Sequence, residues 1–245
     1  MTETVASIHE RYLKVLERIG AAARRAGRKP DAVRVVVVTK TQPIDVVRAA
    51  IEAGARLIGE NYAEEGAAKI EALYLQSGIE WHMVGHIQSR KTTLVAQHFS
   101  FIHSLDSLRV AQRLDRAARE AQRILPVLLE INVSGEESKY GLRGWDAKGW
   151  ADLVPVAEAI TAMPNLQLRG LMTMPPLDPD PESARPHFHK LHSVLDLVKR
   201  RVAGAEWVEL SMGTSADYEV AVEEGATLVR IGQAVLGPRP SLESA

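Results

Sequence analysis

The sequence predicts a closed (β/α)8 barrel, an α/β fold of TIM-barrel type, with one extra helix at the N-terminus. Three observations carry this expectation. Apolar runs of strand length alternate with helical segments eight times. Strict alternation of this kind implies parallel strands joined by right-handed crossovers. The 245 residues accommodate eight such units, as a barrel requires. No G-x-G-x-x-G follows the first strand, which sets an open dinucleotide-binding sheet behind the barrel.

The elements follow in order. From Thr4 to Ala26, Val5, Ile8, Tyr12, Val15, Leu16 and Ile19 recur at helical spacing. The valine run in "VRVVVVTKTQP" is the first strand, apolar on both faces. Pro43 opens a helix that closes at Gly54. Arg56–Gly59 form the second strand, and a helix runs to about Gln76. "EWHMVG", "FSFIHS" and "ILPVLLEINV" are strands three to five, with Pro126 near a strand start where a lost donor is tolerated. "QSRKTTLVAQ" is a short helix, and "DSLRVAQRLDRAAREAQ" shows Leu108, Ala111, Leu114, Ala118 and Ala121 on one face. Helices are expected over Trp145–Met163, Pro181–Val202 and Ser215–Gly225, around strands "LQLRGL", "EWVELS" and "TLVRIG". The Pro- and Asp-rich "PPLDPDPESARP" reads as a loop, and residues 1–245 read as a single domain.

Composition is that of an ordinary globular chain, 46% hydrophobic and 25% charged, long enough for one core. Net charge is −1 with both signs mixed, so no electrostatic footprint for nucleic acid or membrane is present. The absence of cysteine excludes disulfides and thiolate metal sites. The N-terminus "MTETVASIHERYLK" has no apolar h-region, and no run reaches transmembrane length. The expectation is a cytoplasmic protein.

Active-site groups of such a barrel stand at the C-terminal ends of its strands. Those positions hold Lys40, Glu60-Asn61-Tyr62, the His86 segment, His103-Ser104, Asn132, Thr173, Ser211 to Ser215 and Arg230 to Gln233. A lysine ending a fully apolar strand is either a solvated lid or, desolvated, a nucleophile for Schiff-base formation. In "SMGTSADYE", Gly213 permits unusual backbone angles and Ser215 is a natural N-cap. Loops after strands seven and eight often bind phosphate, and Gly232 adds a second such loop. Arg230, inside an apolar strand, needs an acceptor; an ion pair with Glu209 is the plain structural alternative. His187, His189 and His192 read as a solvated helix face rather than a metal site. Trp81, Trp145, Trp150 and Trp207 read as packing, and His82 and His103 as hydrogen-bonded strand residues.

A Schiff-base lysine and a phosphate cap across one barrel mouth suit pyridoxal phosphate. The segments "VVVVTKTQP", "GENYAEE", "WHMVGHIQSRK", "HSLDS", "EINVSGEESKYGL", "LRGLMTMPP" and "ELSMGTSADYEVAVEEGATLVRIGQAVLG", in this order, resemble the pyridoxal-phosphate homeostasis family. Its members are small barrels similar to the N-terminal domain of alanine racemase. The resemblance implies that Lys40 holds the cofactor as a Schiff base and that Asn61 lies beside it. It implies that Ser211 and Met212, with Gly232 and Gln233, bind the phosphate, and that Arg230 faces the pyridine nitrogen. The family usually carries threonine or serine where Gln233 stands, so a hydroxyl contact to phosphate is replaced here.

The function implied is intracellular homeostasis of pyridoxal phosphate, by holding, buffering or delivering it, without established catalysis. The expected partners are the cofactor, apo forms of enzymes that use it, and free amino acids as weak ligands. A monomer is expected. No second domain supplying an opposite-face tyrosine base is expected. The alternatives are a pyridoxal-phosphate-dependent amino-acid racemase, with Tyr62 or Lys139 as a base from the barrel itself, and a class I aldolase using the same lysine on a sugar phosphate.

Overall fold

The structure is a computed structural model, which describes residues 4–238. The N-terminal helix α1 (Val5–Arg25) opens with a reciprocal cap between Thr4 and Ser7. Eight parallel strands follow: β1 (Arg34–Val38), β2 (Leu57–Glu60), β3 (Glu80–Met83), β4 (Phe101–Leu105), β5 (Leu125–Asn132), β7 (Leu166–Met172), β8 (Glu209–Ser211) and β9 (Leu228–Ile231). Each pairs with its chain neighbour, and pairing of β1 with β9 and of β4 with β5 closes the barrel. The expected fold is therefore the observed one.

A two-stranded extension was not expected. Leu142–Arg143 form a short strand, β6, paired in parallel with the end of β5. It gives the loop after β5 a defined backbone path over the barrel mouth.

The helices between strands are α2 (Ile44–Glu52), α3 (Ala63–Ala72), α4 (Thr92–His98), α5 (Leu108–Glu120), α6 (Ala147–Thr161), α7 (Arg185–Arg201), α8 (Tyr218–Glu223) and α9 (Gln233–Leu236). Gly54, at φ +107°, ends the α2 unit in the left-handed region that glycine tolerates. Strand side chains alternate between two apolar environments. One face joins the large cluster between barrel and helices, and includes Val35, Val37, Ile58 and Ile102. The other fills the barrel interior with Val36, Val84, Phe101, Leu128, Met172 and Leu228. Both faces are thus dry, which explains the unbroken valine run.

One helix start differs from expectation. Ser215 does not cap the helix after β8, which begins at Tyr218. Its hydroxyl instead accepts from the Ala234 N–H at 3.2 Å, tying the loop after β8 to the loop after β9. Asp217 folds the intervening turn by accepting from Thr214 N–H at 2.6 Å. Among the described residues, no helix is long and apolar enough to cross a membrane.

Candidate functional site

The mouth of the barrel, at the C-terminal ends of the strands, holds a cavity of about 340 Å³. Lys40, Asn61, Arg230, Gly232 and Gln233 line it together. They come from the ends of β1, β2 and β9, so closure of the barrel is what gathers them. The loop after β8 completes one wall through Thr214, Ser215 and Ala216, and Lys139 stands on the opposite loop. The backbone at Gly232 runs close to β1: a Cβ there would meet the Val38 carbonyl oxygen at 3.2 Å. At Gly213, φ is +92° and a Cβ would meet that of Ala221 at 2.6 Å, so only glycine fits the turn.

Ser211 and Met212 do not line the cavity. Met212 is fully buried, and its N–H donates to the Leu228 carbonyl at 3.1 Å as part of the strand ladder. Ser211 lies under the cavity floor, where its hydroxyl bridges Arg230 and His103. Tyr62 is 55% exposed and outside the lining.

Arg230 is buried and donates to Ser211 Oγ at 2.6 Å and to the Thr173 carbonyl at 2.8 Å. The ion pair with Glu209 does not form. Glu209 instead accepts from Arg34 at 2.5 Å and from Thr227 at 2.5 Å. Burial lowers the Arg230 pKa to about 10, against the opposing influence of Asp217 and Glu130. The guanidinium therefore stays charged at neutral pH and can only donate.

A hydrogen-bond chain runs through the barrel interior. Ser211 Oγ accepts from Arg230 and shares a hydrogen bond with His103 Nδ1, 2.8 Å away. His103 Nε2 and His82 Nδ1 share another at 2.8 Å. His82 Nε2 lies 3.6 Å from the Glu80 carboxylate. Burial, the dominant influence, lowers the pKa of both histidines, His103 the further of the two. The expectation of hydrogen-bonded strand histidines is met.

Glu130 is a further interior group. It follows Leu128 by two residues on β5 and so shares its inward face. Burial, reinforced by Asp106 and opposed by Arg230, raises its pKa to about 7. Its Oε2 is buried without a hydrogen-bond partner among the described residues.

Other expectations resolve plainly. His192 bonds to the Glu224 carbonyl and His189 lies 3.4 Å from the Glu224 carboxylate, as side chains of a solvated helix face. Trp81 and Trp207 are buried, and Trp150 is partly buried with its Nε1 donating to the Gly144 carbonyl. Trp145 is the exception, 36% exposed with Arg143 over its ring.

Residues 15–240 match the family described as the alanine racemase, N-terminal domain. The chain is 43% identical over 238 residues to the pyridoxal phosphate homeostasis protein of Pseudomonas aeruginosa, covering 96% of this chain and 97% of that one. It is 37% identical to the protein of the same description from Vibrio alginolyticus, over 96% of this chain and 99% of that one. Among solved structures, PipY of Synechococcus elongatus with PLP bound superposes with a TM-score of 0.77 at 33% identity, covering 91% of this chain and 100% of that one.

Proposed function

The chain belongs to the pyridoxal phosphate homeostasis protein family, and from that premise we propose that it binds pyridoxal phosphate at the barrel mouth and buffers or delivers it. In this reading Lys40 is the covalent anchor. One observation carries it: Lys40, Asn61, Arg230, Gly232 and Gln233, distant in sequence, line a single cavity.

The residues present suit the cofactor. A cavity of about 340 Å³ lies within the range of small-molecule sites, about 300–1,000 Å³. Lys40 brings a primary amine for an aldehyde. Two glycine-containing loops, joined through Ser215 and Ala234, bring backbone donors of the kind that hold phosphate. Gln233 contributes its backbone there rather than a hydroxyl. Arg230 brings a permanent donor for a ring nitrogen. Bound pyridoxal phosphate would supply an electrophilic aldehyde carbon on an electron-withdrawing ring. Arg230, which keeps its proton, would leave a ring nitrogen placed against it unprotonated and the ring a weaker electron sink. That favours holding the cofactor over transforming amino acids on it.

The test is a purified protein mixed with pyridoxal phosphate, reduced with borohydride and mapped by peptide mass spectrometry. The adduct is expected on Lys40 and is lost in Lys40→Ala, with circular dichroism unchanged. An adduct on another lysine, Lys139 first, would overturn the assignment.

A further inference from the structure

The turn that carries Lys40 is held from below by one buried charged cluster. Lys69, on α3, is 4% exposed, and its ammonium donates to three acceptors. These are the Thr39 carbonyl at 2.7 Å, Glu60 Oε1 at 2.8 Å and Glu65 Oε1 at 2.6 Å. An ammonium has three protons, so its hydrogen-bonding capacity is filled. The two carboxylates extend the grip. Glu60 Oε1 also accepts from the Thr39 hydroxyl at 2.5 Å, and Glu65 Oε1 from the Thr41 N–H at 2.7 Å.

Both chain neighbours of Lys40 are therefore tied to the same cluster. Thr41 has φ +61°, a left-handed conformation that a β-branched residue rarely adopts. Such strain persists only where the surroundings over-determine it, and it concentrates at functional turns. A buried ion pair whose sole task was to pin α3 to β2 would need Glu60 alone. The contacts to Thr39 and Thr41 have no part in that task.

We propose that Glu60, Lys69 and Glu65 form a clamp that sets the turn bearing Lys40, presenting its amine for condensation with the cofactor's aldehyde. The three are positioning residues that act through Thr39 and Thr41. The inference rests on Lys40 being the covalent anchor. The amine and the aldehyde join in a C=N bond with release of one water, and the reverse step takes one water up. The clamp governs the rate of both by fixing where the nitrogen starts.

The experiment compares the wild type, Glu65→Ala, Glu65→Gln and Lys69→Met, each freed of cofactor. Stopped-flow absorbance after mixing with pyridoxal phosphate gives the rate of imine formation, and borohydride mapping confirms the lysine. Affinity for pyridoxine 5′-phosphate, which has an alcohol in place of the aldehyde, reports the pocket without the covalent step. Removing one partner of a buried pair puts Lys69→Met at risk of misfolding. Glu65, 28% exposed, carries the test in that case.

Glu65→Ala is expected to slow imine formation by about tenfold or more, with pyridoxine 5′-phosphate affinity unchanged. Glu65→Gln, whose amide oxygen still accepts from Thr41, is expected to stay near the wild-type rate. Equal rates in all foldable variants, with the wild-type adduct on Lys40, would overturn the clamp and leave the anchor standing. So would a slowing matched by an equal loss of pyridoxine 5′-phosphate affinity. A wild type without an adduct on Lys40 would overturn the anchor and the clamp with it.

Discussion

Replacing Glu130 by glutamine is expected to stabilise the cofactor-free protein at alkaline pH and to leave it unchanged in acid. Glu130 is 7% exposed and its Oε2 has no hydrogen-bond partner among the described residues. Its pKa rises from an ordinary 4.5 to about 7 in the folded protein. The folded state thus binds more protons than the unfolded one between those values, and stability falls as pH rises through them. The contribution is fully kept below about 4.5 and fully lost above about 7. At about 1.4 kcal/mol per pKa unit, that interval corresponds to about 3 kcal/mol. Glu130→Gln keeps the shape and removes the titration, so its advantage should grow from near zero at low pH to about 3 kcal/mol at high pH. Urea denaturation of both proteins, run in parallel from acid to mild alkali, measures the difference directly. His82 and His103, with lowered pKa values, lose stability in the opposite direction, as pH falls below the ordinary histidine value. They are common to both proteins and cancel. A stability difference that stays constant with pH would refute the reasoning.

Three further outcomes follow from the site. Ser211→Ala leaves His103 Nδ1 without its hydrogen-bond partner and Arg230 without one acceptor; a loss of about 2–4 kcal/mol is expected by denaturation, against about 1 kcal/mol for Ser104→Ala, whose hydroxyl makes a single bond to the Gly85 carbonyl. Gly85→Ala would bring a Cβ within 2.6 Å of the Asn61 Cα. A shift of β2's end, a cost of about 1–3 kcal/mol and weaker binding of pyridoxal phosphate in titration are expected. Pyridoxal without its phosphate should bind about tenfold or more weakly than pyridoxal phosphate at one fixed salt concentration, because charge-assisted donors lose their acceptor; equal affinities would remove the loops after β8 and β9 from the phosphate reading.

The barrel and the convergence at its mouth were legible because both follow from periodicity. Strict alternation sets the strand count, and a strand's last residues face the mouth whatever their chemistry. Ser215 was misassigned because a serine before an acidic turn caps a helix in most contexts, while its true partner, the Ala234 amide, lies 19 residues onward. Ser211 and Met212 show what strand-end position leaves open: it does not tell whether a residue lines the cavity or lies beside it, and neither of these lines it. The interior chain was within reach: His82 shares the parity of Val84, and His103 that of Phe101, so both had to point inward. The cluster around Lys69 was not. Glu65 and Lys69, four apart on a helix, look like a solvated pair. Only the packing of α3 over the end of β2 brings Glu60 to them and excludes water.

Helix α1 carries a consequence for how the protein is made. Its Arg18 and Arg25 pair with Glu219 and Glu223 of α8, and Arg28 donates to the carbonyls of Val222 and Ala226. Helix α1 thus waits for partners about two hundred positions later, 201 for Arg18 and Glu219. β1 waits equally for β9. Contacts of such sequence separation form late in folding. Arg230, Gly232 and Gln233 belong to the same late-made segment. An emerging chain can present Lys40 early, yet it has no complete cavity until β9 docks. On the proposed function, retention of cofactor would then mark chains whose barrel has closed, and reactive aldehyde would be withheld from those still open.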